Sequence, residues 1–251
     1  MIPNPIHRVL SSIQQRRVRA LLMGGQACVF YGAAEFSRDI DFAILVSATN
    51  FSRINLVLKD LQAEVIAVPP FQAKYLRKGH AVHFRCHDQN VEGLRIDVMT
   101  KMRGVDEFDK LWRRRVTLSL EDGTKCELMS LPDLVRAKKT QRDKDWPMLR
   151  RLLENDYFNH RKDPTPGQIR FWLLEMRTPE LLREAANEHP AAAMGLSRKR
   201  PLLRLMDPEQ EASLRKALLE EENTEREADR KYWNPLKQEL EMLRHRKSGS
   251  Q

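Results

Sequence analysis

The chain reads as an α/β (α+β) protein in which a mixed sheet flanked by helices is followed by a C-terminal helical region. Three observations predict this. Apolar runs of strand length alternate with stretches of helical period through the first half of the chain. Two of those runs, DIDFAILV and GLRIDVMT, alternate so that Asp39 and Asp41 on one and Asp97 on the other oppose an apolar face. From about residue 160 onward the sequence is charged, helical in period and punctuated by prolines.

In order, IHRVLSSIQQRRVRA (6–20) places Ile6, Val9, Leu10, Ile13 and Val18 near helical spacing, so an amphipathic helix is expected to open the chain. LLMGGQACVFYG suits a buried strand that turns at its glycine pair into a helix. On the DIDFAILV strand, Ile40, Phe42 and Ile44 share the face opposite the two acids. A helix follows over Asn50–Leu61, striped by Phe51, Ile54, Leu58 and Leu61, and short strands are expected at 64–68 and 81–86. In GLRIDVMT, Leu94, Ile96 and Val98 face one way, and Arg95, Asp97 and Met99 the other.

A helix near 106–112 and strands near 115–120 and 124–127 lead to SLPD, where Ser130 can cap a helix and Pro132 suits its first turn. That helix is expected to carry Lys138, Lys139 and Arg142. A second starts near Asp145 and Pro147 and buries Leu149, Leu152 and Leu153. The terminal RKSGSQ reads as frayed.

No apolar stretch approaches the roughly 18 to 20 residues a membrane span needs, and Arg16, Arg17 and Arg19 do not lead into a signal-type apolar core. A cytoplasmic protein without a membrane partner is expected. Cys28, Cys86 and Cys126 are odd in number and widely spaced, which excludes a secreted disulfide framework and favours reduced thiols. The net charge of +9 fits an anionic partner, but the excess is spread along the chain and locates no nucleic-acid groove.

Two carboxylates in Asp-x-Asp on a strand point the same way, and a third on a neighbouring strand can complete a set of hard oxygen ligands for Mg²⁺. Asp39, Asp41 and Asp97 are that set. Two Mg²⁺ ions, or Mn²⁺ in their place, can clamp both the attacking and the leaving oxygens of a phosphoryl displacement. Gly24 and Gly25, upstream, would let backbone amides approach phosphate oxygens, with Ser37 adding a hydroxyl. Lys138, Lys139 and Arg142 would face the charge gathering on a leaving pyrophosphate. Taken singly, each feature has a plainer account: a solvated strand edge, a turn, an exposed helix face. Their order along the chain raises the catalytic reading.

MGGQACVFYG, SRDIDFAI, LRIDVM and LPDLVRAKKTQRDKD together resemble the DNA polymerase β-like nucleotidyltransferase superfamily, particularly minimal bacterial enzymes related to AbiEii-type toxins, over roughly residues 18 to 155. The resemblance implies a mixed sheet flanked by helices, Mg²⁺, and an NTP as co-substrate. By it, Asp39 and Asp41 match the first metal motif and Asp97 the third carboxylate. Gly24, Gly25 and Ser37 match the nucleotide-binding motif, and Lys138 a basic position on the following helix. The implied acceptor is an RNA such as tRNA, a protein or a small molecule, and a toxin–antitoxin role with a cognate antitoxin is a further implication. Two departures stand out: Glu35 where many relatives carry Arg, and Met148 where many carry Asp. They leave room for the alternative of a catalytically silent nucleotide- or partner-binding relative acting as a regulatory or antitoxin protein.

The expected division is a catalytic domain at 1–128 and a helical region at 129–251. The latter comprises a basic helix pair packing on the catalytic site (129–158) and a C-terminal extension (159–251) that chooses the acceptor. His80, His83, Cys86 and His87 lie close in sequence, yet strand alternation sends His83 and Cys86 to opposite faces, so a sheet-edge strand accounts for them better than zinc. Arg113–Arg115 and SRKRP (197–201) are short basic clusters for which a solvated face is the simpler reading than an RNA contact.

Overall fold

Pro5 sits in the first turn of α1 (Asn4–Gln15), where its missing N–H costs nothing, and the helix buries Ile6, Val9 and Leu10. It ends five residues short of the expected Ala20. Arg17 takes a left-handed φ of 51°, and the Val18 amide reaches back to the Ile13 carbonyl at 3.0 Å, closing the helix in a Schellman turn with Val18 buried behind it. Residues 4–248 of this computed structural model are described, so of the terminal segment expected to fray, 249–251 lie outside the described residues.

The following elements are β1 (Ala20–Met23), α2 (Gly24–Phe30), β2 (Asp39–Ile44), α3 (Ala48–Asp60), β3 (Glu64–Val65), α4 (Ala73–Lys78), β4 (Val82–Arg85) and β5 (Arg95–Met99). Next come α5 (Phe108–Arg114), β6 (Val116–Ser119), β7 (Lys125–Leu128), α6 (Leu131–Ala137), α7 (Asp145–His160), α8 (Pro166–Glu175), α9 (Pro179–Glu188), α10 (Pro190–Leu196) and α11 (Glu211–Ser248).

Two compact units divide these elements. The first holds the chain up to Phe30, Ala34–Ala137 and the part of α11 from Tyr232 onward; the second holds Tyr31–Ala33 and Lys138–Lys231. All seven strands belong to the first, in the order β3-β4-β5-β2-β1-β7-β6. β2 and β5 run parallel, as do β1 and β7, and the remaining neighbours are antiparallel, which makes the sheet mixed. Leu21, Leu22, Ile40, Phe42, Ile44, Phe84, Ile96 and Val98 form its buried positions, with Ile54 and Leu58 from α3. The strand expected over 64–68 pairs at only two residues before Pro69 and Pro70, which lack the N–H a ladder needs.

Asn50, fully buried, fixes the start of α3 to the sheet. Its side chain accepts from the Arg19 amide at 2.8 Å and donates to the carbonyls of Arg19 at 3.0 Å and Leu45 at 2.9 Å, so the end that leads into β1 and the end that leaves β2 are held by one amide group. Ser47 caps the same helix, accepting from the Asn50 amide.

The second unit is helical. Trp146, Leu149, Leu152, Leu153 and Tyr157 of α7 are buried with Trp172, Leu173, Leu182 and Leu214, and the rings of Tyr157 and Trp172 meet edge to face at 4.9 Å. Thr165 and Gln168 form a capping box at the start of α8. Arg200, 4% exposed at its side chain, donates to the last carbonyls of that helix, Leu173 at 2.9 Å and Met176 at 2.8 Å, and pairs with Glu221 at 2.9 Å. One third of the basic SRKRP cluster is therefore an internal helix clamp, whereas Arg198 and Lys199 are exposed. No helix among the described residues is long and apolar enough to cross a membrane.

Candidate active site

β1 ends at Met23 and the chain enters α2 through Gly24 at a φ of +66°, a conformation that disfavours any residue with a Cβ. Space forbids one as well: a Cβ on Gly24 would lie 1.8 Å from Asp41 Oδ2, and one on Gly25 would lie 2.5 Å from Ser37 Oγ. The glycine pair thus forms a side-chain-free floor directly against Asp41 and Ser37. Ser37 Oγ in turn donates to the Asp39 carbonyl at 3.0 Å, steering the loop into β2.

Strand register brings the third acid alongside. Asp41 on β2 stands opposite Asp97 on β5, with Asp39 opposite Arg95, so the three acids share one face of two adjacent parallel strands. On its other side, β5 pairs with β4 so that Asp97 stands opposite His83. Thr100 donates to the Ile44 carbonyl at 2.6 Å and ties the far ends of β5 and β2 together.

The Asp97 carboxylate is already engaged. Arg95 grips it with both arms of the guanidinium, Nε to Oδ1 at 2.7 Å and Nη2 to Oδ2 at 2.8 Å. His83 Nδ1 lies 2.8 Å from Asp97 Oδ1 and 2.9 Å from Arg95 Nη2. A single ring nitrogen can donate to the carboxylate or accept from the guanidinium, not both, so the imidazole tautomer chooses between them. Burial alone pushes the Asp97 carboxyl up, but the hydrogen bonds from His83 and Arg95 outweigh it and leave the group below the ordinary aspartate range. Arg95 is correspondingly held more firmly charged, first by its hydrogen bonds to Asp97 and then by the charges of Asp97, Asp39 and Asp41, against the opposing effect of burial.

Among the described residues, no group of three His, Cys, Asp or Glu side chains is arranged as a ready metal cage. The donors themselves suit a hard divalent cation, being carboxylates on one strand face, with Asp41 packed against the Gly24 backbone. At the Asp97 end the oxygens face Arg95 and His83.

The basic residues expected on the helix after SLPD are placed otherwise. Ser130 does cap α6, with its hydroxyl 3.4 Å from the Asp133 amide, but α6 stops at Ala137, so Lys138, Lys139 and Arg142 follow the helix instead of lining it. All three belong to the second unit, and each sits on an acid there. Lys138 Nζ lies 3.1 Å from Asp145 Oδ1, and Arg142 Nε lies 2.7 Å from Asp145 Oδ2. Lys139 Nζ lies 2.7 Å from Glu175 and 3.5 Å from Glu225. Asp145 also accepts from Thr140 at 2.6 Å. Burial pushes its carboxyl up, but the Lys138 charge and the bonds from its neighbours outweigh that and hold it below the ordinary range. Lys138 and Lys139 are thus largely buried in ion pairs, whereas Arg142 pairs with Asp145 from the surface.

Two participants had no role in the sequence reading. Arg95 was visible on the Asp97 face by alternation, but nothing in a one-dimensional pattern says that its guanidinium folds back onto the acid two residues on. His83 needed the β4–β5 register, a long-range pairing that alternation alone does not give. Of its sequence neighbours, Cys86 is buried with its thiol pushed up to about 11 by that burial, and His80 turns its Nε2 to Glu239 at 2.9 Å, so the His/Cys cluster disperses.

Solved structures similar to this chain include two of the antibiotic-resistance factor ANT(2'')-Ia. Its solution structure is similar to 88% of this chain over 92% of its own, at 11% identity and a TM-score of 0.35. Its crystal structure in complex with adenylyl-2''-tobramycin is similar to 86% of this chain over 95% of its own, at 12% identity and a TM-score of 0.34. No family profile matches the chain, and no curated protein matches it.

Proposed function

We propose that the sheet-bearing unit is a metal-dependent nucleotidyltransferase that moves a nucleoside monophosphate from an NTP to an acceptor hydroxyl and releases pyrophosphate. The observation that carries this reading is the register of Asp41 against Asp97 on adjacent parallel strands, with Asp39 two residues back on the same face and Gly24 pressed against the Asp41 carboxylate. Asp39, Asp41 and Asp97 would hold Mg²⁺, or Mn²⁺ in its place. When bound, it supplies positive charge to the phosphate oxygens and acidifies the attacking hydroxyl.

The chain's own groups account for the rest of the reaction. Gly24 and Gly25 let Asp41 and Ser37 close onto the backbone of the β1–α2 turn, and Ser37 would offer its hydroxyl to the triphosphate there. The acceptor oxygen bonds to the α-phosphorus as the bond from that phosphorus to the α–β bridging oxygen breaks. Pyrophosphate leaves with that electron pair, and the hydroxyl proton passes to Asp97 as general base. We assign the choice of acceptor, whether tRNA, protein or small molecule, to the helical unit. A role as the toxin half of a toxin–antitoxin pair belongs to the same proposal.

A second reading rests on one specific observation: both Asp97 oxygens are paired with Arg95 and, among the described residues, no acidic trio is arranged as a cage. In that reading the chain binds a nucleotide or partner without turnover. Incubation with each α-labelled NTP, Mg²⁺ and, separately, tRNA, total cell protein or an aminoglycoside decides between them. Transfer of label to an acceptor, abolished in Asp41→Asn, supports the enzyme. Release of free monophosphate alone indicates a phosphodiesterase, and binding without either product supports the silent relative.

A further inference from the structure

The fork of Arg95 onto Asp97 occupies the lone pairs that a cation would use. Arginine is the side chain best shaped to do this, since its planar guanidinium presents two parallel N–H donors to both oxygens of one carboxylate. The two residues sit two apart on β5, on the same face, so the pair closes without any backbone movement. Asp97 is 13% exposed and Arg95 39% exposed at their side chains: the acid is held in place while the arginine has solvent to swing into. The charges of Asp39 and Asp41 also act on Arg95, so its guanidinium offsets part of the negative charge of the acidic face.

We propose that Arg95 is the resident counter-ion of this carboxylate face and a latch on it, so that its pairing with Asp97 and the holding of a divalent cation by Asp97 exclude one another. The proposal rests on the nucleotidyltransferase reading and adds to it a regulatory residue. A divalent ion at Asp97 faces a fixed positive charge as long as the fork is closed, and like charges at such separations repel strongly in a partly buried site. Opening the fork relieves that repulsion and releases a free guanidinium at the edge of the site, where it can meet the anionic groups of an incoming substrate.

The test uses Mn²⁺ as the probe and electron paramagnetic resonance as the readout of free against bound ion, with no turnover involved. Arg95→Gln should bind Mn²⁺ about tenfold or more tightly than the unaltered chain, the scale on which residues just outside a metal's ligands act. Arg95→Lys keeps the charge without the fork and should fall between the two. It also serves where Arg95→Gln fails to fold. Arg85→Gln removes the same charge from the residue opposite Arg95 on β4 and should change affinity far less, which separates the latch from a general charge effect.

Five outcomes decide the result. Tighter binding in both Arg95 variants, lost again when Asp41→Asn is added, supports the latch, as does binding that appears only when Arg95 is replaced. Binding in the unaltered chain that is equal or weaker in the Arg95 variants overturns the latch and leaves the metal-dependent reading standing. Equal gains from Arg85→Gln and Arg95→Gln also overturn it, reducing Arg95 to bulk charge. No Mn²⁺ bound by any variant overturns both the latch and the metal-dependent reading.

Discussion

The α-carbon of Gly24 lies so close to the Asp41 carboxylate that a methyl group there would stand 1.8 Å from Oδ2. Gly24 also holds a φ of +66°. Gly24→Ala must therefore either push Asp41 off the strand face or distort the β1–α2 turn. A misplacement of about 1 Å in a catalytic group costs on the order of 100-fold in rate, and we expect at least that loss of the proposed transferase activity, with the circular dichroism of the sheet retained. Gly25→Ala meets the Ser37 hydroxyl, which can rotate, and more loosely Ser37 Cβ at 3.1 Å, so its activity should fall less. Equal activity in Gly24→Ala and the unaltered chain would show that Asp41 does not work from its observed position.

Asp145 gathers Lys138, Thr140 and Arg142 on one buried carboxylate. Asp145→Ala strands the Lys138 amine, which is 11% exposed, without its partner. Breaking a buried pair from one side costs about 3 to 5 kcal/mol, and urea unfolding should show a loss near the lower end because Arg142 can turn to water. Lys138→Met, which removes the charge that needs pairing, should cost less than Asp145→Ala. If instead Lys138→Met leaves stability alone and lowers affinity for NTP, the lysine serves phosphate binding and its pairing with Asp145 is incidental.

These residues show how far the sequence could be read. Local rules sufficed for period and face: alternation set Asp39 and Asp41 together, put Arg95 beside Asp97, and marked Ser130 as a cap, all of which the backbone bears out. Chain reversals were harder. The end of α1 depended on Arg17 accepting a left-handed φ, a position that propensity assigns to glycine. The fate of Lys138, Lys139 and Arg142 depended on acids at Asp145, Glu175 and Glu225, and contacts across such separations carry no periodic signature. The site's acids and Arg95 were legible because they lie in short strands, and His83 was not, because the pairing of β4 with β5 brings it in.

Acid should weaken both units through carboxylates whose pKa values folding depresses. Asp97 and Asp145 each lie below the ordinary aspartate value, so each contributes stability that is complete above about pH 4 and is lost as pH falls through the lower folded value. Urea midpoints followed from pH 7 down to about pH 2.5 should fall along an acid limb, and Asp145→Asn should flatten it. A limb of undiminished steepness in Asp145→Asn would assign the acid sensitivity to other carboxylates.

Arg200 separates two readings of the basic run SRKRP. Its guanidinium is buried at the end of α8, bonded to the carbonyls of Leu173 and Met176 and to Glu221, whereas Arg198 and Lys199 are exposed. Arg200→Ala leaves those carbonyls without donors and Glu221 with one partner fewer, since Arg177 also reaches Glu221 at 2.6 Å. A loss of about 3 kcal/mol is expected from a buried charge pair broken on one side, moderated by the Arg177 contact. Arg198→Gln and Lys199→Gln should each stay within about 0.5 kcal/mol of the unaltered chain, as surface changes do. The decisive comparison is RNA affinity at several salt concentrations: were the run a phosphate contact, the exposed pair would flatten the salt dependence while leaving stability alone. Arg200→Ala should do the reverse, lowering the unfolding midpoint while any RNA affinity of the folded protein keeps its salt slope.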